Sequence, residues 1–179
     1  MSLKDEFNEK LIQKIQSEFN LSSVSAVPKL EKIVVNMGIG KNRENKKFVI
    51  ESIDDLMKIT GQKPSSRKAK KSISNFKLRQ GQVVGLTVTL RGAKMWAFYE
   101  KLVNIVLPRV KDFRGVKSTS FDEGGNYTLG LDDHMVFPEI DPNSITYTKP
   151  LEVTINTSSQ NAKMGLKLLT YLGMPFKKI

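Results

Sequence analysis

Cysteine is absent from the chain. That absence excludes disulfides, thiolate metal sites and cysteine nucleophiles together, and with them the staples of small secreted domains. Histidine occurs once, as His134. Zinc would need further ligands and a Ser-His-Asp array a nucleophile, so one imidazole behind Asp132 and Asp133 does not make a catalytic or metal site. Long apolar runs are missing too: nothing approaches the roughly 18 residues of a membrane span. The opening MSLKDEFNEK mixes acids and bases where a secretory signal would carry an apolar core. A cytoplasmic setting with no membrane partner is expected.

Acids are scarce where bases are dense. Residues 56–99 contain no Asp or Glu, while Lys58, Lys63, Arg67, Lys68, Lys70, Lys71, Lys77, Arg79, Arg91 and Lys94 supply ten cations, almost the whole net charge of +11. A solvated face normally mixes signs because like charges repel, so this stretch calls for a polyanion; nucleic acid leads and an anionic membrane surface is the rival. Interleaved with the bases, Gln62, Ser65, Ser66, Ser72, Ser74, Asn75, Gln80 and Gln82 offer neutral groups to phosphates, 2′-hydroxyls and base edges. Phe76 has two readings, a ring for base stacking or an aromatic that anchors a hairpin. The opposite sign rules residues 118–148, which hold no Lys or Arg but carry Asp122, Glu123, Asp132, Asp133, Glu139 and Asp141, net −6. That segment either balances the fold or meets a basic protein.

With 179 residues, 39% of them apolar, the chain suits a single domain spanning residues 1–179. Apolar residues every four positions from Leu3 to Phe19 predict an amphipathic helix, with Ser2 and Asp5 as a possible capping pair. Residues 30–37 (LEKIVVNM) predict a strand ending at Gly38 and Gly40, and residues 44–59 a helix that buries Phe48, Ile53, Leu56 and Met57 and ends at Gly61. Residues 83–90 (VVGLTVTL) predict a second strand which, with a shorter extended piece near 69–74, brackets a basic loop at SNFKLRQGQ. Residues 92–107 read as a helix stopped by Pro108, YTLGL and MVF as short extended pieces, 151–157 (LEVTINT) as a strand, and 160–172 as a final helix. The irregular interleaving favours an α+β fold over a doubly wound parallel sheet.

No enzyme chemistry emerges. NMGIGK at residues 36–41 hints at a phosphate loop, but it lacks the GxxxxGK[ST] spacing and the hydroxyl that would hold magnesium. The acids of 118–148 lie in a turn-rich segment with nothing to set a general acid–base geometry.

The motifs NMGIGK, TGQKP, AKKSISNFKLRQG, VTLRG, LPRVKDFRG, FDEGGNYTLG, FPEI and the terminal PF, in this order from Val27 to Phe176, closely resemble bacterial large-subunit ribosomal protein number five. The resemblance implies an antiparallel or mixed sheet with helices packed on one face, a concave RNA-binding face and a projecting basic loop. It implies no cofactor, metal or small-molecule substrate. It places Asn36, Gln62 and Thr89 on 5S rRNA, with Lys63, Ser65 and Arg91 beside them, and it allows Arg67, Lys68, Lys70 and Lys71 to add 23S rRNA contacts. Ser74, Asn75, Phe76, Lys77 and Arg79 are then candidates to meet P-site tRNA. Asp122, Glu123, Asp132, Asp133 and Glu139 are candidates to meet small-subunit head protein thirteen, and other proteins of the central protuberance are further expected partners. One departure stands out. The family usually has a basic residue after the Gly of FDG, whereas this chain reads FDEGGNY, adding Glu123. A reading from a different class remains, a cytoplasmic RNA chaperone or DNA-coating protein that uses the basic stretch without sequence preference.

Overall fold

The computed structural model describes residues 3–145 and 147–177. Ser2 of the anticipated capping pair lies outside them. Five strands, β1 (Leu30–Gly38), β2 (Ser65–Lys68), β3 (Val83–Leu90), β4 (Tyr127–Leu131) and β5 (Leu151–Thr157), form a sheet in the order β2-β3-β1-β5-β4. Four main helices accompany it: α1 (residues 3–18), α2 (Lys46–Thr60), α3 (residues 92–109) and α4 (Ala162–Tyr171). The architecture is α+β, as the interleaving of patterns predicts. The chain divides into two compact units, one of Met1–Ile33, Arg91–Leu129 and Thr154–Ile179, the other of Val34–Leu90 and Gly130–Val153.

In the first unit, α1 buries Phe7 and Ile15, and the Phe7 ring lies 5.6 Å from that of Trp96 on α3. Pro108 does not stop α3 but sits in its last turn, which closes at Arg109. A π turn at Leu102–Val106 has already broken the regular hydrogen-bond ladder there, so the missing proline N–H costs little. Asn161 caps α4 by accepting from the Met164 N–H at 2.9 Å. Rings of Phe121, Tyr127 and Phe176 cluster within 5.9 Å of one another. The Tyr127 hydroxyl donates to the Lys117 carbonyl at 2.8 Å, and burial pushes it up to about 12.

In the second unit, α2 starts where Asn45 Oδ1 accepts from the N–H groups of Lys47 and Phe48, and it ends on left-handed Gly61 at φ 62°. Its buried stripe is Phe48, Ser52, Leu56, Ile59 and Thr60, and Met57 is 42% exposed, so the expected Ile53 and Met57 face is shifted. The stripe admits two hydroxyls because each bonds back to its own helix, Ser52 to the Phe48 carbonyl at 2.6 Å and Thr60 to that of Leu56 at 2.7 Å. The short extended piece expected near 69–74 lies earlier, at β2, directly after Pro64. β2 pairs antiparallel with β3, and a bulge between Arg67 and Lys68 shifts the register before the last pair, Lys68 with Val83. MVF is not extended: His134–Val136 is a 3-10 turn because Asp133 Oδ1 accepts from the Met135 N–H at 2.8 Å.

Candidate nucleic-acid interface

Strand alternation sorts the second unit's sheet into two faces. Val35, Met37, Leu86, Val88 and Leu90 are buried on one. Asn36, Gly85, Thr87 and Thr89, all half-buried, occupy the other. The register pairs Ser65 with Thr87 and Arg67 with Gly85, which brings those two exposed β2 residues onto the same polar face. A Cβ at position 85 would come within 3.3 Å of the Met37 carbonyl oxygen, so glycine lets the strands pack with a smooth surface opposite Arg67. Gln62 joins from the end of α2, its Nε2 donating to the Thr89 carbonyl at 3.3 Å. Four of the six residues expected at the 5S rRNA site, Asn36, Gln62, Ser65 and Thr89, therefore share one part of the second unit. Lys63 is exposed beside Gln62, while Arg91, the N-cap of α3, belongs to the first unit.

Thr87 belongs with this group although the sequence argument passed over it. Its hydroxyl donates to Asn36 Oδ1 at 2.7 Å, which leaves both hydrogens of the Asn36 amide as donors. The available signal was its position two residues before Thr89, on the same face of a strand.

The basic block divides by location. Arg67 lies on the polar face, and Lys68 ends β2 at the bulge. Lys70 and Lys71 lie exposed on an arm, residues 69–82, whose base closes through Ala69 N–H to the Gln82 carbonyl (2.8 Å) and Gly81 N–H to the Ala69 carbonyl (3.0 Å). Ile73 and Leu78 pair across the arm, and Ser74–Phe76 form a 3-10 turn at its tip, followed by left-handed Lys77 at φ 47°. Phe76 is 71% exposed, which removes the hairpin-anchor reading. Glu44, Ser72, Ser74, Lys77, Leu78, Arg79 and Gln82 line an open hollow of about 830 Å³.

Asp122 and Glu123 lie in the first unit and Asp132, Asp133 and Glu139 in the second. Asp122 accepts from the Asn126 N–H at 2.7 Å and from Asn126 Nδ2 at 2.8 Å, and these bonds hold its carboxyl below the usual range. Glu123, Asp132 and Glu139 are exposed.

His134 is fully buried in the second unit. Its Nδ1 accepts from the Lys149 N–H at 3.3 Å, and its Nε2 faces Asp55 Oδ2 at 3.4 Å. That carboxylate also holds the buried Lys149 ammonium at 2.6 Å. Burial lowers the imidazole pKa first and the Lys149 charge lowers it further, against the opposing pull of Asp55 and Asp133. A neutral imidazole between an ion pair and a backbone amide is a packing element. Among the described residues no cluster of three or more His, Cys, Asp or Glu is placed to hold a metal ion.

Comparison with known proteins gives this geometry its family. A model of ribosomal protein L5 matches residues 23–79, and a model of the C-terminus of the same ribosomal protein family matches residues 83–176. The large ribosomal subunit protein uL5 of Acholeplasma laidlawii is 50% identical over 177 residues, covering 99% of this chain and 98% of its own. That of Pseudothermotoga lettingae is 48% identical (98% and 96%), and that of Thermotoga maritima 47% (98% and 96%). With both of its halves matched and relatives aligned almost end to end, the chain belongs to the ribosomal protein L5 family.

Proposed function

We propose that this chain, a structural constituent of the large ribosomal subunit and not an enzyme, binds 5S rRNA on the polar face of the sheet in its second unit. Asn36, Gln62 and Thr89 set the register there through short neutral side chains, with Lys63 and Ser65 in support, and Arg91 of the first unit is a further 5S rRNA contact. Arg67, Lys68, Lys70 and Lys71 supply attraction and reach 23S rRNA phosphates, and the arm tip meets P-site tRNA. Asp122, Glu123, Asp132, Asp133 and Glu139 supply contacts to small-subunit head protein thirteen. The observation that carries this reading is the group of half-buried hydrogen-bonding side chains at Asn36, Thr87 and Thr89, bordered by cations in a stretch free of acids. Phosphate contacts position a protein on RNA, whereas fixed neutral groups discriminate.

A gel-shift competition tests it. Labelled 5S rRNA should be displaced by unlabelled 5S rRNA and resist random RNA of equal length, whereas equal displacement by both would leave only a nonspecific coating protein. If about six cations meet phosphates, affinity should fall with roughly the fifth power of salt concentration, at about 0.9 per contact. A slope near zero would remove the basic stretch from the interface.

Thr87→Val keeps the side chain's shape and removes its donor, so the Asn36 amide loses its orientation. Binding of 5S rRNA should weaken roughly five- to tenfold, about the net worth of one hydrogen bond. Thr87→Ser should restore it, and Thr87→Val should add little once Asn36 is already alanine.

A further inference from the structure

The arm of residues 69–82 projects charged and apolar groups into solvent, yet its tip is tied down by a residue more than thirty positions earlier in the chain. Arg43 Nη2 donates to the carbonyls of Phe76 at 2.5 Å and Lys77 at 2.9 Å, and Nη1 donates to the Gly40 carbonyl at 3.1 Å. The base beneath Arg43 is itself fixed. Ile39 N–H donates to the Val84 carbonyl at 3.1 Å on β3, Asn42 N–H to the Ile39 carbonyl at 3.3 Å, and Asn45 opens α2. Among the described residues Arg43 Nε is buried without a hydrogen-bond partner, and the three carbonyl bonds hold the guanidinium in place.

We propose that Arg43 is a positioning residue that locks the arm's tip in its RNA-presenting conformation before any RNA is met. The fork suits the task, since Nη1 holds the Gly40 carbonyl while Nη2 holds the two carbonyls of the tip, and a lysine ammonium has no second nitrogen to bridge the two places. The rest of the arm is built to be held. Ile73 and Leu78 exchange backbone bonds at 2.9 and 3.0 Å, Gln80 N–H donates to Ser72 Oγ at 2.9 Å, and Arg79 N–H donates to Gln82 Oε1 at 2.9 Å. With its carbonyl fastened to Arg43, Phe76 keeps its ring outside, between Asn75 and Lys77. An arm ordered beforehand loses less conformational freedom on contact, so more of its interaction energy appears as affinity. The functional consequence rests on the reading of this arm as the tRNA-facing one; the lock itself does not.

The test is amide hydrogen exchange on the free full-length protein. Arg43→Ala should speed exchange at residues 74–79 by about tenfold or more while the amides of β3 keep their protection. Trypsin cleavage after Lys77 and Arg79 should accelerate in parallel. Arg43→Lys, which keeps the charge and loses the fork, should still accelerate exchange, whereas a lysine at the wild-type rate would show that charge alone suffices and overturn the lock. Wild-type exchange at 74–79 in Arg43→Ala would overturn it directly. If Arg43→Ala also deprotects β3, Arg43→Lys decides, a change confined to the tip supporting the lock and no change sinking it. Ribosomes carrying Phe76→Ala or Lys77→Ala report separately on the tRNA reading. Unaltered P-site tRNA binding in both would remove that reading and leave the exchange result to judge Arg43.

Discussion

Replacing Asn36, Gln62 and Thr89 together with alanine is expected to cost 5S rRNA binding about 3 kcal/mol, on the order of a hundredfold in Kd, at roughly 1 kcal/mol for each hydrogen bond lost. The salt dependence should not change, because none of the three is charged. Removing Lys63, Arg67 or Lys70 should do the reverse, with a modest loss of affinity and a salt slope lower by about one per phosphate contact. Both sets lie in the second unit, so this contrast separates register from attraction more sharply than either loss alone. Gln62 also bonds to the Thr89 carbonyl. The triple variant therefore needs a urea unfolding curve beside its binding curve, and full-strength binding by a folded triple variant would remove the polar face from the interface.

The largest effect on stability is expected at a residue outside the proposed RNA site. Asp55→Ala should destabilise the fold by about 3–5 kcal/mol, the range for stranding a buried charge. Lys149 is only 2% exposed, and its ammonium depends on the Asp55 carboxylate at 2.6 Å, which also faces His134. Urea denaturation measures the loss directly. The paired change Asp55→Leu with Lys149→Met removes both charges and should recover most of it, because the cost lies in the orphaned partner. The same cluster sets a pH dependence. Burial holds the His134 pKa below its usual value of 6.5, so stability should be complete above about pH 6.5 and decline as pH falls toward the folded-state value. His134→Ala should flatten that decline and leave RNA binding by the folded protein unchanged.

Elements whose signal is local were legible in the residues. The strand pattern of LEKIVVNM and the whole of VVGLTVTL and LEVTINT correspond to β1, β3 and β5, and Gly61 ends α2 as expected, while the helix begins two residues later than expected, after its Asn45 cap. What escaped depends on partners distant in sequence. β2 is a strand only because it finds β3, and nothing in SSRK favours a ladder over the adjoining AKKSIS. Ser52 looks too polar for a core until its bond to the Phe48 carbonyl is known. Lys149 reads as the base that ends the acidic segment, and only the fold carries it to Asp55, 94 residues earlier. For the interface, charge located the stretch, resemblance named Asn36, Gln62 and Thr89, and strand register then added Thr87 and brought Arg67 alongside. Arg43 gave no local sign at all, since its partners are backbone carbonyls and any residue type supplies those.

On the proposed reading, fixed neutral side chains on one sheet face recognise 5S rRNA while the surrounding cations only attract it. A hydroxyl-radical footprint of 5S rRNA, taken with and without the protein, tests this most directly. One contiguous protected region is expected, persisting as salt is raised until binding itself is lost and disappearing with the Asn36, Gln62 and Thr89 triple variant at protein concentrations that saturate the wild type. Protection scattered along the RNA, or a footprint the triple variant reproduces at wild-type concentrations, would contradict it.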